Sequence, residues 1–527
     1  MTSPAPLTQG PQHRQILAIL SGLMLGMFLA SLDQTIVSTA MRTIADRLDG
    51  QTAQAWATTA YLVTSTVTTP LYGKLSDIYG RKPFYLFAIV VFVIGSVLCG
   101  QAHSIYELAA YRALQGVGAG GLMSLAFAII GDIVAPRERA RYQAYIMSVF
   151  ATSSVLGPVL GGYFAGHEHL LGLDGWRWIF YLNVPVGLAA FAVVWRNLHL
   201  PNRRTDHPID YLGAATLVAS VVPVLLVAEK GREWGWGSGA TLGLLALSAV
   251  SLAVFLPWER RLGDDAILPL RIFSNSVFTA TSVVAFLLGA GMFGGLVLMP
   301  LYLQIVKGAS PTEAGLQMIP FMVGMMGSSL TVGRIMRRTG KYRVFPIVGT
   351  AIALVGSLLF STMTADTPLP QVMSYMLVMG VGLGLSMQML MIAAQNALPM
   401  SDMGLSTATT TFFRAMGGTF GAAVSLALLF STVLGNIRER MADAGLSSAF
   451  TDQLDAKALD NTTKLFEVLP PPVRHMVLQG FADSMHTVFV VTAVTMALAF
   501  VGTWFVKEEP LREHSPMHSP QEEASVL

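Results

Sequence analysis

The sequence predicts an all-α polytopic membrane protein: fourteen spans, arranged as two pseudo-symmetric six-helix bundles with an inserted two-helix hairpin. Hydrophobic residues make up 53% of the 527-residue chain and charged residues only 12%, against roughly 25% charged in soluble proteins. Apolar runs of about 20 residues, each long enough to cross a hydrocarbon core, recur along nearly the whole length. A charged turn, Gly73-Lys74-Leu75-Ser76-Asp77-Ile78-Tyr79-Gly80-Arg81-Lys82-Pro83, has a degenerate copy from Gly333 to Arg343. Each copy follows an apolar span, places two glycines seven residues apart and carries cations after the second. Such internal duplication is a signature of transporters.

The expected spans are roughly 16–39, 54–73, 84–101, 108–131, 143–165, 178–195, 210–228, 239–257, 276–303, 313–332, 344–363, 371–394, 404–433 and 483–505. The first run is too long for a signal-peptide core and reads as a retained span. With the N-terminus in the cytoplasm, twenty Lys and Arg fall in cytoplasmic segments and six in short external loops. The opposite orientation would invert that bias and break the positive-inside rule. Both termini are therefore expected in the cytoplasm.

The charged turn follows span 2, and its copy follows span 10, so the second bundle begins at span 9 and spans 7–8 are the insertion. This gives a cytoplasmic N-terminus (1–15), a first bundle (16–200), the hairpin (201–270), a second bundle (271–505) and a cytoplasmic tail (506–527). The external segment 434–482 is the sizeable water-exposed piece between spans. Within it, Met441–Lys457 has the pattern of a short amphipathic helix, and Leu469-Pro470-Pro471-Pro472 is expected to break whatever precedes it. The polar tail after Lys507 is expected to be disordered.

Ionisable groups inside a span are costly and mark function. Asp33 lies in span 1, about 26 Å from its cytoplasmic start, and Arg112 lies about 6 Å into span 4 from the external side, at 1.5 Å per residue. Both sit in the outer half, at compatible depths for a pair. Two readings stand: a proton-coupling carboxylate tuned by a neighbouring cation, or a static ion pair that fixes helix packing. Arg414, in span 13, has no acidic residue at matching depth in the spans of its half. Asp77 and Arg81, framed by Gly73 and Gly80, suit a cytoplasmic gate in which a carboxylate meets the N-terminus of another helix. Their other reading is a topological anchor facing water.

Span 5 carries Gly157-Pro158-Val159-Leu160-Gly161-Gly162. Pro158 removes a backbone hydrogen bond, and Gly157, Gly161 and Gly162 permit close helix approach. That suits a hinge at the moving interface between bundles, or tight static packing. Gln115, Gln388, Asn396, Met387, Met391 and Arg414 are candidates for lining a substrate cavity, because flexible Met side chains accommodate varied apolar ligands. Met-rich spans also serve as ordinary packing surface.

The sequence has no phosphate-binding G-x-x-x-x-G-K-[ST] loop, which speaks against ATP hydrolysis. His167-Glu168-His169 lacks H-E-x-x-H spacing, and the single cysteine, Cys99, can form neither an intramolecular disulfide nor a metal cluster. A net charge of +2 without a basic tract gives no indication of nucleic acid. No cofactor and no metal are expected.

These motifs resemble the major facilitator superfamily, specifically its fourteen-span drug:proton antiporter branch. Gly73–Pro83 is similar to the loop signature G-x-L-[SA]-D-x-x-G-R-[KR]. Arg112 with Gln115-Gly116-Val117-Gly118 resembles the antiporter span-4 signature, and Gly157–Gly162 the span-5 signature, with Ser153 in place of its leading glycine. Leu32-Asp33-Gln34-Thr35-Ile36-Val37 and Trp176-Arg177-Trp178-Ile179-Phe180-Tyr181-Leu182-Asn183-Val184-Pro185 are similar to the branch's span-1 and span-6 motifs. Arg337 stands where Asp77 stands in the first turn. The resemblance covers about residues 14–505. It implies two bundles rocking about a central site, outward drug flux driven by inward protons, Asp33 in proton or substrate coupling, and Arg112 in proton relay.

The expected protein is a monomeric antiporter of a bacterial plasma membrane. It exchanges protons for amphipathic organic compounds, cationic or neutral. Two alternatives remain at this stage: an exporter dedicated to one metabolite, antibiotic or lipid, and a non-transporting sensor or assembly partner docking through segment 434–482.

Overall fold

A computed structural model describes residues 13–48, 54–134, 136–198, 210–399, 402–443 and 470–510. The first seven helices are α1 (His13–Arg47), α2 (Gln54–Tyr79), α3 (Arg81–Gln101), α4 (Ile105–Ile133), α5 (Pro136–Gly166), α6 (Arg177–Tyr181) and α7 (Asn183–Asn197). They pack on one another chiefly through α2 with α4, α3 with α4, α1 with α5 and α1 with α7. Gly80 alone separates α2 from α3, at φ 100°. An L side chain rarely adopts that conformation, so the turn needs its second glycine.

A hairpin follows, α8 (Tyr211–Trp234) and α9 (Gly239–Leu262). Then come α10 (Ser276–Leu301), α11 (Pro311–Gln317), α12 (Ile319–Thr339), α13 (Val344–Ser361), α14 (Leu369–Ala397), α15 (Met403–Asp443) and α16 (Pro471–Thr503). Apart from short α11, these last helices form a second set, with α10 against α15 and α16, α12 and α13 against α14, and α13 against α16. The hairpin lies against α2 and α15 through α8. The outer side of α9 exposes Leu242, Leu245, Val250, Leu252 and Val254, a surface suited to lipid.

Thirteen of the described helical segments are long and apolar enough to cross a membrane. Threonine-rich α2 is not among them, yet it is a continuous 26-residue helix packed along α4. Several boundaries differ from the expected ones. The tenth span is broken at Met318, where Pro320 starts α12 in its first turn. The ninth ends in a π-turn at Tyr302–Val306, just after Pro300, which cannot donate to the helical ladder. The fourteenth begins at Pro471, not 483. Pro470 is the N-cap and two prolines open the helix, where their missing N–H groups cost nothing. The proline run therefore starts a helix. Of the expected Met441–Lys457 helix, Met441–Asp443 belong to the end of α15, and the rest lies outside the described residues.

The two sets of helices meet through α2 and α4 with α15, and through α5 with α11, α12 and α14. Both charged turns lie on one face of the molecule, the basic face. There Tyr342 also receives the segment after α16: its amide donates to Glu508, and the Glu509 amide donates to its hydroxyl at 2.9 Å. The tail after Lys507, expected to be disordered, is thus held in place over residues 508–510.

Candidate functional site

The deepest polar group is Asp33, fully buried on α1. Arg112 of α4, 1% exposed, donates from Nη1 to Asp33 Oδ2 at 2.5 Å. Two amides converge on the other oxygen: Gln115 Nε2 at 2.9 Å and Asn183 Nδ2 at 2.7 Å. Arg112 Nη1 also donates to Gln115 Oε1 at 2.8 Å, and its guanidinium stacks 4.0 Å above the Tyr61 ring of α2. Asn183 is anchored in turn to Ser96, which donates to the Phe180 carbonyl. Four helices thus hold one carboxylate whose charge is matched by one guanidinium. Gln115, expected in the substrate cavity, belongs to this cluster instead. Its position one turn from Arg112 aims both side chains at α1.

On the basic face, Arg81 is the hub of the charged turn. It pairs with Asp77, donates from Nε to Asp132 at 2.8 Å and donates from Nη1 to the Ser76 hydroxyl at 2.6 Å. The turn packs on the first residues of α15 from the opposite bundle. A Cβ on Gly404 would lie 2.2 Å from both Asp77 and Arg81, and one on Gly73 would lie 2.3 Å from the Ala408 methyl. Asp77 therefore sits at the N-terminal turn of α15, where the helix dipole favours an anion. It lies beyond the membrane-crossing stretch of α2, and burial, opposed by Arg81, pushes its carboxyl up to about 6. A second set of charges extends this contact: Arg271 grips Asp402 through two hydrogen bonds of 2.8 and 3.1 Å and also pairs with Asp264, while Lys74 donates to the Asp264 carbonyl.

The span-5 glycines are placed otherwise than a face between bundles requires. A Cβ on Gly157 would meet Thr35 Oγ1 at 2.2 Å, and one on Gly161 would meet the Ile36 carbonyl at 2.9 Å. Both pack α5 on α1 inside the first bundle, two and three residues from Asp33. Thr35 adds a 3.0 Å hydrogen bond to the Ser153 carbonyl, and Gly162 is exposed. Pro158 does reach across: its ring lies against Gly315 of α11.

A small cavity on the inner face of the second bundle is lined by Leu288, Met387, Leu390, Met391, Thr410 and Arg414, among others. The Arg414 guanidinium lies 5.7 Å from the Phe127 ring of α4 in the first bundle. Gln388 is buried with both amide atoms unpartnered among the described residues. Asn396, expected beside it, lies at the basic end of α14 and donates to the Pro510 carbonyl, well away from the cavity. The helix simply runs too far toward the basic face for its last turn to reach the centre. His167 and His169 form no metal-binding group, and among the described residues there is none. Glu168 pairs with Arg47 instead.

Asn183, Asp132, Asp402 and Arg271 were not singled out by the sequence as site residues. Asn183 is uncharged and entered only through a motif, and the other three sit at helix ends, where charges read as topology. The hairpin also buries two carboxylates, Asp210 and Glu259, each with one oxygen unpartnered among the described residues.

Helical spans packed as two facing bundles, with charge buried inside one and a cavity in the other, define a polytopic membrane transporter. The Major Facilitator Superfamily profile matches residues 23–422, and the chain belongs to that family. It is 33% identical over 521 residues to the multidrug transporter protein MdtP of Bacillus subtilis, covering 95% of this chain and 94% of that protein. It is 36% identical over 519 residues to the transporter Rv1877 of Mycobacterium tuberculosis, covering 97% of this chain and 73% of that one. Among solved structures it is similar in fold to the proton:xylose symporter XylE, with a TM-score of 0.61 at 15% identity, covering 96% of this chain and 98% of that chain.

Proposed function

We propose that the protein is a proton-coupled antiporter. It exports amphipathic organic compounds by alternating access across a bacterial plasma membrane, with its basic face in the cytoplasm. The single observation that carries this is the Asp33–Arg112 pair, buried and braced by Gln115 and Asn183. A proton taken up by Asp33 from the external side cancels the carboxylate charge and dissolves the ion pair. Arg112 then needs another partner, so protonation changes the packing of α1 against α4. Thr35 and Gly157 link α1 to α5, and Pro158 links α5 to the second bundle, so the change can reach the bundle interface. Release of the proton to the cytoplasm restores the pair and completes one cycle. The basic-face contact of Asp77 and Arg81 with α15 is the gate that opens and closes in that cycle. The names of the Bacillus relatives, multidrug transporter and multidrug resistance protein, support an exported, chemically varied cargo.

The test uses inside-out proteoliposomes with an acidic lumen and fluorescent amphiphiles of different charge. The wild type is expected to accumulate at least one probe in the lumen, and Asp33→Asn to accumulate none above protein-free vesicles. Equal accumulation by the two would remove Asp33 from the coupling path.

A further inference from the structure

We propose that Arg414 is an anion-recognising group at the small cavity beside the bundle interface, and that the cargo of this transporter consists of amphipathic organic carboxylates. The inference deepens the export reading and rests on it.

Among the described residues, Arg414 has no ion-pair or hydrogen-bond partner; its one specific contact is the Phe127 ring at 5.7 Å. The other intramembrane guanidinium, Arg112, is matched by Asp33. That match engages Asp33, the carboxylate that the sequence places deepest within an apolar span. The cavity is left with a single positive charge on a wall of Leu288, Met387, Leu390 and Met391. Arg414 is partly buried; a charge drawn out of water is costly unless it is paired, and a guanidinium presents a planar fork that fits two carboxylate oxygens. The missing partner is therefore best supplied by the cargo. Its carboxylate would meet Arg414, and its apolar body would lie along the adaptable methionines. A lipophilic cation would face a like charge at the same place. Because Arg414 touches Phe127 across the bundle interface, cargo bound there contacts both halves of the protein, as alternating access requires.

The experiment uses the full-length purified protein and three dansyl probes of equal chain length: 11-(dansylamino)undecanoic acid, the corresponding alcohol and the corresponding trimethylammonium. Affinities are read from dansyl fluorescence at pH 7.5. The wild type is expected to bind the carboxylate at least about tenfold more tightly than the alcohol, and the ammonium most weakly. Arg414→Gln should bring carboxylate and alcohol within about twofold through loss of carboxylate affinity, and Arg414→Lys should keep part of the preference. A preference that survives Arg414→Gln, or a wild type that binds the alcohol or ammonium as tightly as the carboxylate, overturns the proposal. If Arg414→Gln does not fold, the wild-type ranking decides alone. Gradient-driven uptake in proteoliposomes separates the two readings. Export of the ammonium but not the carboxylate overturns the anion site and leaves proton-coupled export standing. Arg414-dependent carboxylate binding with no probe moved at any gradient supports the site and overturns the export reading.

Discussion

Asn183, in the first turn of α7, donates a 2.7 Å hydrogen bond to Asp33 on α1 from 150 residues away. The same amide reaches Ser96, so one side chain fixes the carboxylate relative to both α3 and α7. Hydrogen bonds to a charged group contribute about 1.5–3 kcal/mol. Asn183→Ala is expected to lower the melting temperature of the purified protein and to weaken gradient-driven export at unchanged expression. Asn183→Gln, which keeps the amide, should recover part of both. Unchanged melting and flux in Asn183→Ala would show that Gln115 and Arg112 suffice to hold Asp33.

If the contact of Asp77 and Arg81 with α15 is the proposed gate, Asp77 gives it a pH dependence with a definite sign. With the gate closed its carboxyl sits at about 6, and once exposed to water it would return to the ordinary range near 4. The closed form thus holds the proton more tightly. Acid favours it, fully below about pH 4, and the advantage is lost as pH rises through 6. The complete swing is on the order of 3 kcal/mol. Spin labels at exposed Tyr79 and Val344, in a variant lacking Cys99, should show a larger short-distance population at pH 5 than at pH 7.5. Asp77→Asn should abolish that difference while Arg81 keeps Asp132. A wild-type distribution indifferent to pH would remove Asp77 from the switch.

Closure of the proposed gate would depend on two small surfaces meeting. The methyl of Ala408 faces Gly73, with only 2.3 Å available for an added carbon. Overpacking of this kind costs about 1–3 kcal/mol. Gly73→Val should therefore shift the spin-label distances toward the long population and slow export. Ala408→Gly, added to it, should restore both in part, because residues in contact do not act independently. A double variant no better than Gly73→Val would place the defect elsewhere on α2.

What the sequence made legible follows physical scale. Apolar runs about as long as a bilayer is thick led to the thirteen helices long and apolar enough to cross a membrane and to the continuous helix α2, and the charged turn led to Asp77 and Arg81. The rise of a helix placed Asp33 and Arg112 at one depth. Rotation about the helix axis was another matter: no pattern told which way Gly157 and Gly161 turn, and they turn toward α1. Nor did it show that Asn396 runs out to meet Pro510. Proline carried two opposite meanings, and Pro470–Pro472 open a helix because nothing upstream needs their amide hydrogens. Asn183 could be heard only through a motif, since a neutral amide in a span carries too little cost to announce itself.

The inserted hairpin offers a test of its own. At its basic end Asp210 Oδ1 accepts from the Gly213 amide at 2.7 Å and from Trp258 Nε1 at 2.9 Å, and Glu259 Oε2 accepts from the Leu268 amide at 2.8 Å. The remaining oxygens, Asp210 Oδ2 and Glu259 Oε1, converge on the space that a Cβ on Gly213 would fill and have no donor among the described residues. Two facing carboxylates have a hydrogen between them only while one of them keeps its proton. Glu259→Gln supplies an N–H at that point and keeps an oxygen for Leu268. It should therefore raise stability by about 0.5–1.5 kcal/mol, seen as a higher melting temperature at pH 7.5. Glu259→Leu removes the acceptor for the Leu268 amide and should lower it. A Glu259→Gln protein that melts below the wild type would mean that the two carboxylates already share a proton, and that α8 is fastened to α9 by a proton-dependent bond.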